Sequence, residues 1–117
     1  NVGAVVRALQ SFSGPVVLLL GGRDKEGDFG TLAPLLRKHV REMVLFGEAR
    51  HKIDSLIGGV VPTTLTPTLG EAIETAWRLA VPGDALLLSP GCASFDEFAD
   101  YKARGKFFQD RVRRLER

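Results

Sequence analysis

A single cysteine, Cys92, stands among 117 residues, so no disulfide can close within the chain and a disulfide-stapled scaffold is excluded. A lone thiol also fits a reducing compartment. Histidine is nearly as scarce: His39 and His51 lie twelve positions apart with no acidic or thiol ligand spacing around them, and no metal site can be read. The longest apolar run, Pro15 to Leu20, falls far short of the roughly 20 residues that a membrane helix needs. No charged-then-apolar leader opens the chain, and a cytoplasmic location is expected. Neither a Gly-x-x-x-x-Gly-Lys-[Ser/Thr] phosphate loop nor a Gly-x-Gly-x-x-Gly fingerprint is present, and no Ser-His-Asp or Cys-His set is evident.

What remains is an ordinary globular composition. Apolar residues make up 44% and charged residues 26%, and 16 Lys and Arg against 14 Asp and Glu leave a net charge of +2. Such a chain is neither disordered nor fibrous. At this length one domain buries roughly two-thirds of its unfolded surface, enough for a core without disulfides or metal. One domain spanning 1–117 is expected.

Four short β-type runs stand out: Pro15–Leu20, Glu42–Phe46, Val60–Leu65 and Asp84–Leu88. Three of them are unbroken apolar stretches, which suit strands covered on both faces, as in parallel sheets, rather than half-exposed strands that alternate. Pro62 suits a sheet edge or a strand start. Between the runs, helical spacing puts Leu32, Leu35 and Leu36 on one stripe, Ile53, Leu56 and Ile57 on another, and Leu69, Ile73, Ala76, Trp77 and Ala80 on a third. Val2, Val5, Val6 and Leu9 predict an opening helix. The order α, then repeated β-α, predicts an α/β domain: a three-layer, Rossmann-like, doubly wound and mostly parallel sheet flanked by helices.

In such a sheet, ligands gather outside the carboxyl ends of the strands. Two loops there carry unusual chemistry. Gly21–Gly30 holds four glycines and five charged residues, which allows close backbone approach and places cations near exposed N–H groups, a sensible place for an anion. The same composition suits a solvated turn in which Arg23 or Lys25 pairs with Asp24, Glu26 or Asp28. Ser89–Asp96 offers small residues and hydroxyls at a helix entrance, able to bond a carboxylate or phosphate, although Ser94 and Asp96 also suit plain caps. Cys92 reads as an inert thiol, with no His or Lys beside it in sequence. If the sheet is parallel, both loops leave the same edge. Lys25 then supplies charge, Ser94 a hydroxyl and Tyr101 an aromatic wall, which suits a small dicarboxylate.

The stretch Tyr101–Arg117 carries Phe108, Val112 and Leu115 on one stripe, with seven basic residues against two acidic ones. That balance suits a terminal helix whose basic end complements its own dipole. It leaves open an interaction surface for an anionic partner.

The two loops are recognisable together. Leu18–Phe29, then Leu45–Arg50, then Pro82–Phe98 with its Ser-Pro-x-Cys-Ala-Ser-x-Asp core, followed by Tyr101 and Arg104-Gly105, closely resemble the C-terminal domain of the D-glutamate-adding Mur ligases, over nearly the whole chain and at matching spacing. The resemblance implies an enzyme of three domains: one binding the UDP moiety, a central ATPase with a phosphate loop, and this C-terminal domain bringing in the amino acid. ATP activates the alanyl carboxylate of UDP-N-acetylmuramoyl-L-alanine as an acyl phosphate, with Mg2+ assisting, and the D-glutamate amine attacks it during peptidoglycan precursor synthesis.

Carried over residue by residue, the resemblance implies D-glutamate contacts at Lys25, Ser94, Phe95 and Tyr101. It also implies that an Asp-Ser-Lys-Ala-Thr segment, whose lysine and threonine serve the site, precedes the asparagine matching Asn1. ATP and Mg2+ are then held mainly by the central domain, no nucleic acid or membrane is a partner, and these 117 residues alone are expected to be inactive. Preceding strands are expected to cover a sheet edge that this chain leaves open. A free-standing anion-binding module, or an interaction domain using the basic terminal helix, is the alternative reading.

Overall fold

A computed structural model gives the architecture, describing residues 2–22, 27–89 and 101–116, with Tyr101 described by its backbone alone. Helix α1 (Val2–Gln10) precedes strand β1 (Val16–Gly21). A 3-10 turn (Phe29–Leu32) leads into α2 (Ala33–His39), and β2 (Val40–Phe46) follows directly. Then come α3 (Arg50–Ile57), β3 (Thr63–Thr66), α4 (Leu69–Leu79), β4 (Ala85–Ser89) and α5 (Tyr101–Leu115). The strands form one sheet in the order β3-β2-β1-β4, and all three pairings are parallel.

Each unbroken apolar run supplies both faces of this sheet. In β1, Val16, Leu18 and Leu20 pack with Val5 and Leu9 of α1, Leu36 of α2 and Ile53 and Ile57 of α3. The intervening Val17 and Leu19 face the opposite way, onto Leu69, Ile73 and Ala76 of α4, with Phe107, Phe108, Val112 and Leu115 of α5 behind them. The three-layer expectation therefore holds: α1, α2 and α3 cover one face, α4 and α5 the other. All six residues of β1 are buried, as a central strand between two helical layers requires.

Several boundaries differ from the sequence reading, each for a local reason. The helical stripe Leu32, Leu35 and Leu36 begins in a 3-10 turn through Leu32, where the Asp28 carbonyl accepts both the Thr31 amide (3.3 Å) and its hydroxyl (2.7 Å), and continues in α2. Pro62 lies just outside β3, an edge strand that starts at Thr63, and its carbonyl accepts from Met43 N at 2.9 Å. Of the predicted α3 stripe, Ile53 and Ile57 are buried but Leu56 is 49% exposed, and Trp77 on α4 is 36% exposed. Both lie at the rim of their stripe, where the four-strand sheet is too narrow to cover them.

β4 forms the opposite edge, and its residues Ala85–Leu88 are only half-buried although three of them are leucine. Its start is clasped across the sheet. Arg41, near the beginning of β2, reaches past β1 to Asp84, with Nε and Nη2 donating to Oδ2 at 3.0 and 2.6 Å, while Nη2 also donates to the Leu79 carbonyl at 2.6 Å. Val81 N donates to the same carboxylate at 2.9 Å. The Arg41 hydrogen bonds, helped by the Val81 amide, hold the Asp84 carboxyl below the usual carboxylate range. A lowered folded-state pKa stabilises above the unfolded value, and that contribution vanishes as pH falls through the folded one. Asp84→Asn should accordingly lower the melting temperature by several degrees at neutral pH, and the two melting curves should converge in acid. Calorimetric scans across pH check this.

Candidate functional site

The strand order reverses direction between β1 and β4, which makes the carboxyl ends of these two strands the topological switch point of the sheet. Leu20 pairs with Ser89, so β1 and β4 end side by side. The chain leaves β1 toward residues 23–26 and leaves β4 toward residues 90–100 from this one edge.

The β1 exit is built on two glycines. Gly21 lies opposite Phe46 of β2, and a Cβ there would collide with the Phe46 carbonyl. Gly22 adopts φ 111°, a conformation that strains residues bearing a Cβ. Its amide donates to Phe46 O at 3.2 Å, and its carbonyl accepts from Ala49 N at 2.8 Å, pinning the exit to the start of α3. On the return, Phe29 is fully buried in the first core layer. The segment between Gly22 and Phe29 is therefore held at both ends.

The neighbouring β2 and β3 ends are closed by their own backbone. Gly47 N donates to Pro67 O at 3.1 Å, and Arg50 Nη1 donates to Gly47 O at 2.8 Å. Thr68 caps α4, its hydroxyl oxygen accepting from Glu71 N at 3.3 Å. The β1–β4 part of the edge is different: Ser89 is fully buried there, and its hydroxyl has no hydrogen-bond partner among the described residues.

Of the residues predicted to bind, Lys25, Ser94 and Phe95 lie outside the described residues, as does Cys92; Tyr101 is the first residue of α5. What the coordinates bring together is the pair of strand ends that carry these loops. Sequence reasoning took Ser89 only as the first residue of the Ser89–Asp96 loop and did not single out its hydroxyl. It also passed over the Arg41–Asp84 clasp, for which an acid after Pro82-Gly83 at a strand start was the only hint.

The basic helix α5 uses its apolar stripe internally. Phe107 and Arg111 lie against α4 at Gly70, where a Cβ would stand 3.1 Å from the Arg111 guanidinium. Arg111 sits 5.0 Å from the centre of the Phe107 ring and 4.0 Å from Glu74 of α4. Among the described residues no group of three His, Cys, Asp or Glu side chains stands together. No helix among them is long and apolar enough to cross a membrane.

These features define a doubly wound α/β domain whose switch point lies between β1 and β4. The chain belongs to the Mur ligase family: residues 1–92 match the model described as "Mur ligase, glutamate ligase domain". It is 65% identical over 113 residues to the UDP-N-acetylmuramoylalanine--D-glutamate ligase of Syntrophus aciditrophicus (strain SB), which covers 97% of this chain and 25% of that protein. Proteins of the same name from Citrifermentans bemidjiense and Desulfosudis oleivorans are 43% and 47% identical, covering 97% and 98% of this chain and 25% of each relative. The chain thus spans about a quarter of the length of the curated relatives it matches, consistent with the C-terminal domain alone.

Proposed function

We propose that this chain is the domain that receives D-glutamate in an ATP-dependent, cytoplasmic ligase joining that amino acid to UDP-N-acetylmuramoyl-L-alanine in peptidoglycan precursor synthesis. The observation that carries the reading is the side-by-side ending of β1 and β4, which sends the Lys25 and Ser94 loops out from one edge. The names of relatives up to 65% identical support it independently.

In this reading Lys25 neutralises a glutamate carboxylate, Ser94 donates a hydrogen bond to it, and Phe95 with Tyr101 shape the pocket. ATP, bound with Mg2+ in a central domain outside these residues, supplies the phosphoryl group that activates the alanyl carboxylate. The contribution of this domain is to hold glutamate with its amine facing that carbon. Positioning of this kind converts a bimolecular attack into an intramolecular one, and closing the domain onto its neighbours completes the site.

The test is an assay of the full-length protein with UDP-N-acetylmuramoyl-L-alanine, ATP, Mg2+ and labelled D-glutamate. Incorporation of D-glutamate with stoichiometric ADP release is expected, and selective use of a different amino acid would contradict the proposal. A domain that shares its ligand across a closing interface should, when isolated, show no turnover and bind D-glutamate only weakly. Submillimolar affinity in a calorimetric titration of the isolated domain would contradict the closure step.

A further inference from the structure

Three polar residues are buried as whole residues among the described ones: Thr66, Ser89 and Arg104. The Thr66 hydroxyl donates to the carbonyl of Leu45 or Thr68, each at 3.3 Å, and Arg104 is engaged as well. Ser89 differs, being 0% exposed with a hydroxyl that meets no acceptor and no donor among the described residues. Such a group has given up water and received nothing in return, which costs stability unless something else supplies the partner. An alanine there would fill the strand end without that cost.

Its position says where a partner would come from. Ser89 is the last residue of β4, in register with Leu20 of β1, and so it stands at the switch point itself. By strand alternation its side chain lies on the same face as Leu87, the face packed by α1 and the turn at Phe29. Gly22, just past the end of β1, lies at this same edge, and Phe29 is buried on this same face.

We infer that the Ser89 hydroxyl is a binding residue for the acidic amino acid, donating a hydrogen bond to one of its carboxylate oxygens at the β1–β4 edge. The inference rests on the proposed function and adds to it a residue that the family resemblance does not assign. A hydroxyl kept dry and unpartnered is preorganised for an incoming anion, because binding need not first strip a competing hydrogen bond.

The test uses the full-length protein carrying Ser89→Ala or Ser89→Thr, with steady-state kinetics in D-glutamate and melting curves with and without it. Ser89→Ala should raise the D-glutamate KM about tenfold with kcat changed less than twofold. Its unliganded melting temperature should be unchanged or higher, since the lost group had no partner to lose. Ser89→Thr, which keeps the donor, should recover most of the KM. A KM for Ser89→Ala within twofold of wild type, in an enzyme that uses D-glutamate normally, overturns the inference while leaving the proposed function standing. A lowered melting temperature with kcat and KM failing together also overturns it, by showing a structural role. A wild-type enzyme that ignores D-glutamate overturns the reading on which both rest.

Discussion

Replacing Lys25 with alanine in the full-length ligase is expected to cut kcat/KM for D-glutamate about a hundredfold, equivalent to ~2.7 kcal/mol. That is the upper part of the range for a hydrogen bond to a charged group, and in a closed, water-poor site the missing ammonium leaves a carboxylate unpaired. On the proposed function the loss should fall mainly on KM, because the lysine would bind a carboxylate that takes no part in the bond being made. Lys25→Arg, which keeps the charge but changes its shape and reach, should recover only part of the activity. Steady-state kinetics with D-glutamate as the varied substrate checks each outcome. Unaltered kinetics for Lys25→Ala would remove the residue from the site.

The second large effect is on the fold that presents this site. Gly21→Ala puts a methyl group against the Phe46 carbonyl, a backbone atom that cannot swing aside. β1 and β2 share the most extensive pairing in the sheet, and separating them breaks register from Val17 to Gly21. A cost of ~3 kcal/mol, the upper end for overpacking, is expected, lowering the melting temperature by about 15 °C for a domain of this size. Gly14→Ala is the control: its Cβ would meet nothing nearer than the Gly83 carbonyl at 4.0 Å, an ordinary contact, and its melting should barely change. Thermal unfolding of the two variants side by side distinguishes a steric effect from a general intolerance of glycine replacement.

Much of the architecture was legible because the core runs announce themselves. Val16–Leu20 has apolar residues on both strand faces, as suits a strand covered on both sides in a parallel sheet between two helical layers. The stripe Leu69, Ile73 and Ala76 marks α4 as clearly as its Thr68 cap does. The order β3-β2-β1-β4 was not legible, since nothing local in β4 says that it lies beside β1 rather than β3. Nor was the exposure of Leu56 and Trp77, which depends on how wide the sheet is rather than on helical periodicity.

The edge of β4 shows the same dependence on what lies beyond a local pattern. Leu86, Leu87 and Leu88 read as a fully covered strand, yet they are half-buried because β4 lies at the edge of the sheet. For the site, residue chemistry and the family resemblance pointed to Lys25, Ser94, Phe95 and Tyr101. Ser89 was read only as part of the Ser89–Asp96 loop, because the burial of its hydroxyl without a partner among the described residues is a property of three-dimensional packing.

The central claim is that two loops distant in sequence serve one ligand, and a double-mutant cycle on the full-length enzyme tests it most directly. Lys25→Ala, Ser94→Ala and the double variant are compared in kcat/KM for D-glutamate. If both side chains hold the same molecule, the double variant should fall short of the product of the single losses by at least about tenfold, a coupling of ~1.4 kcal/mol. Losses that simply multiply would contradict the account, because they would place the lysine and the serine at sites that do not share a ligand.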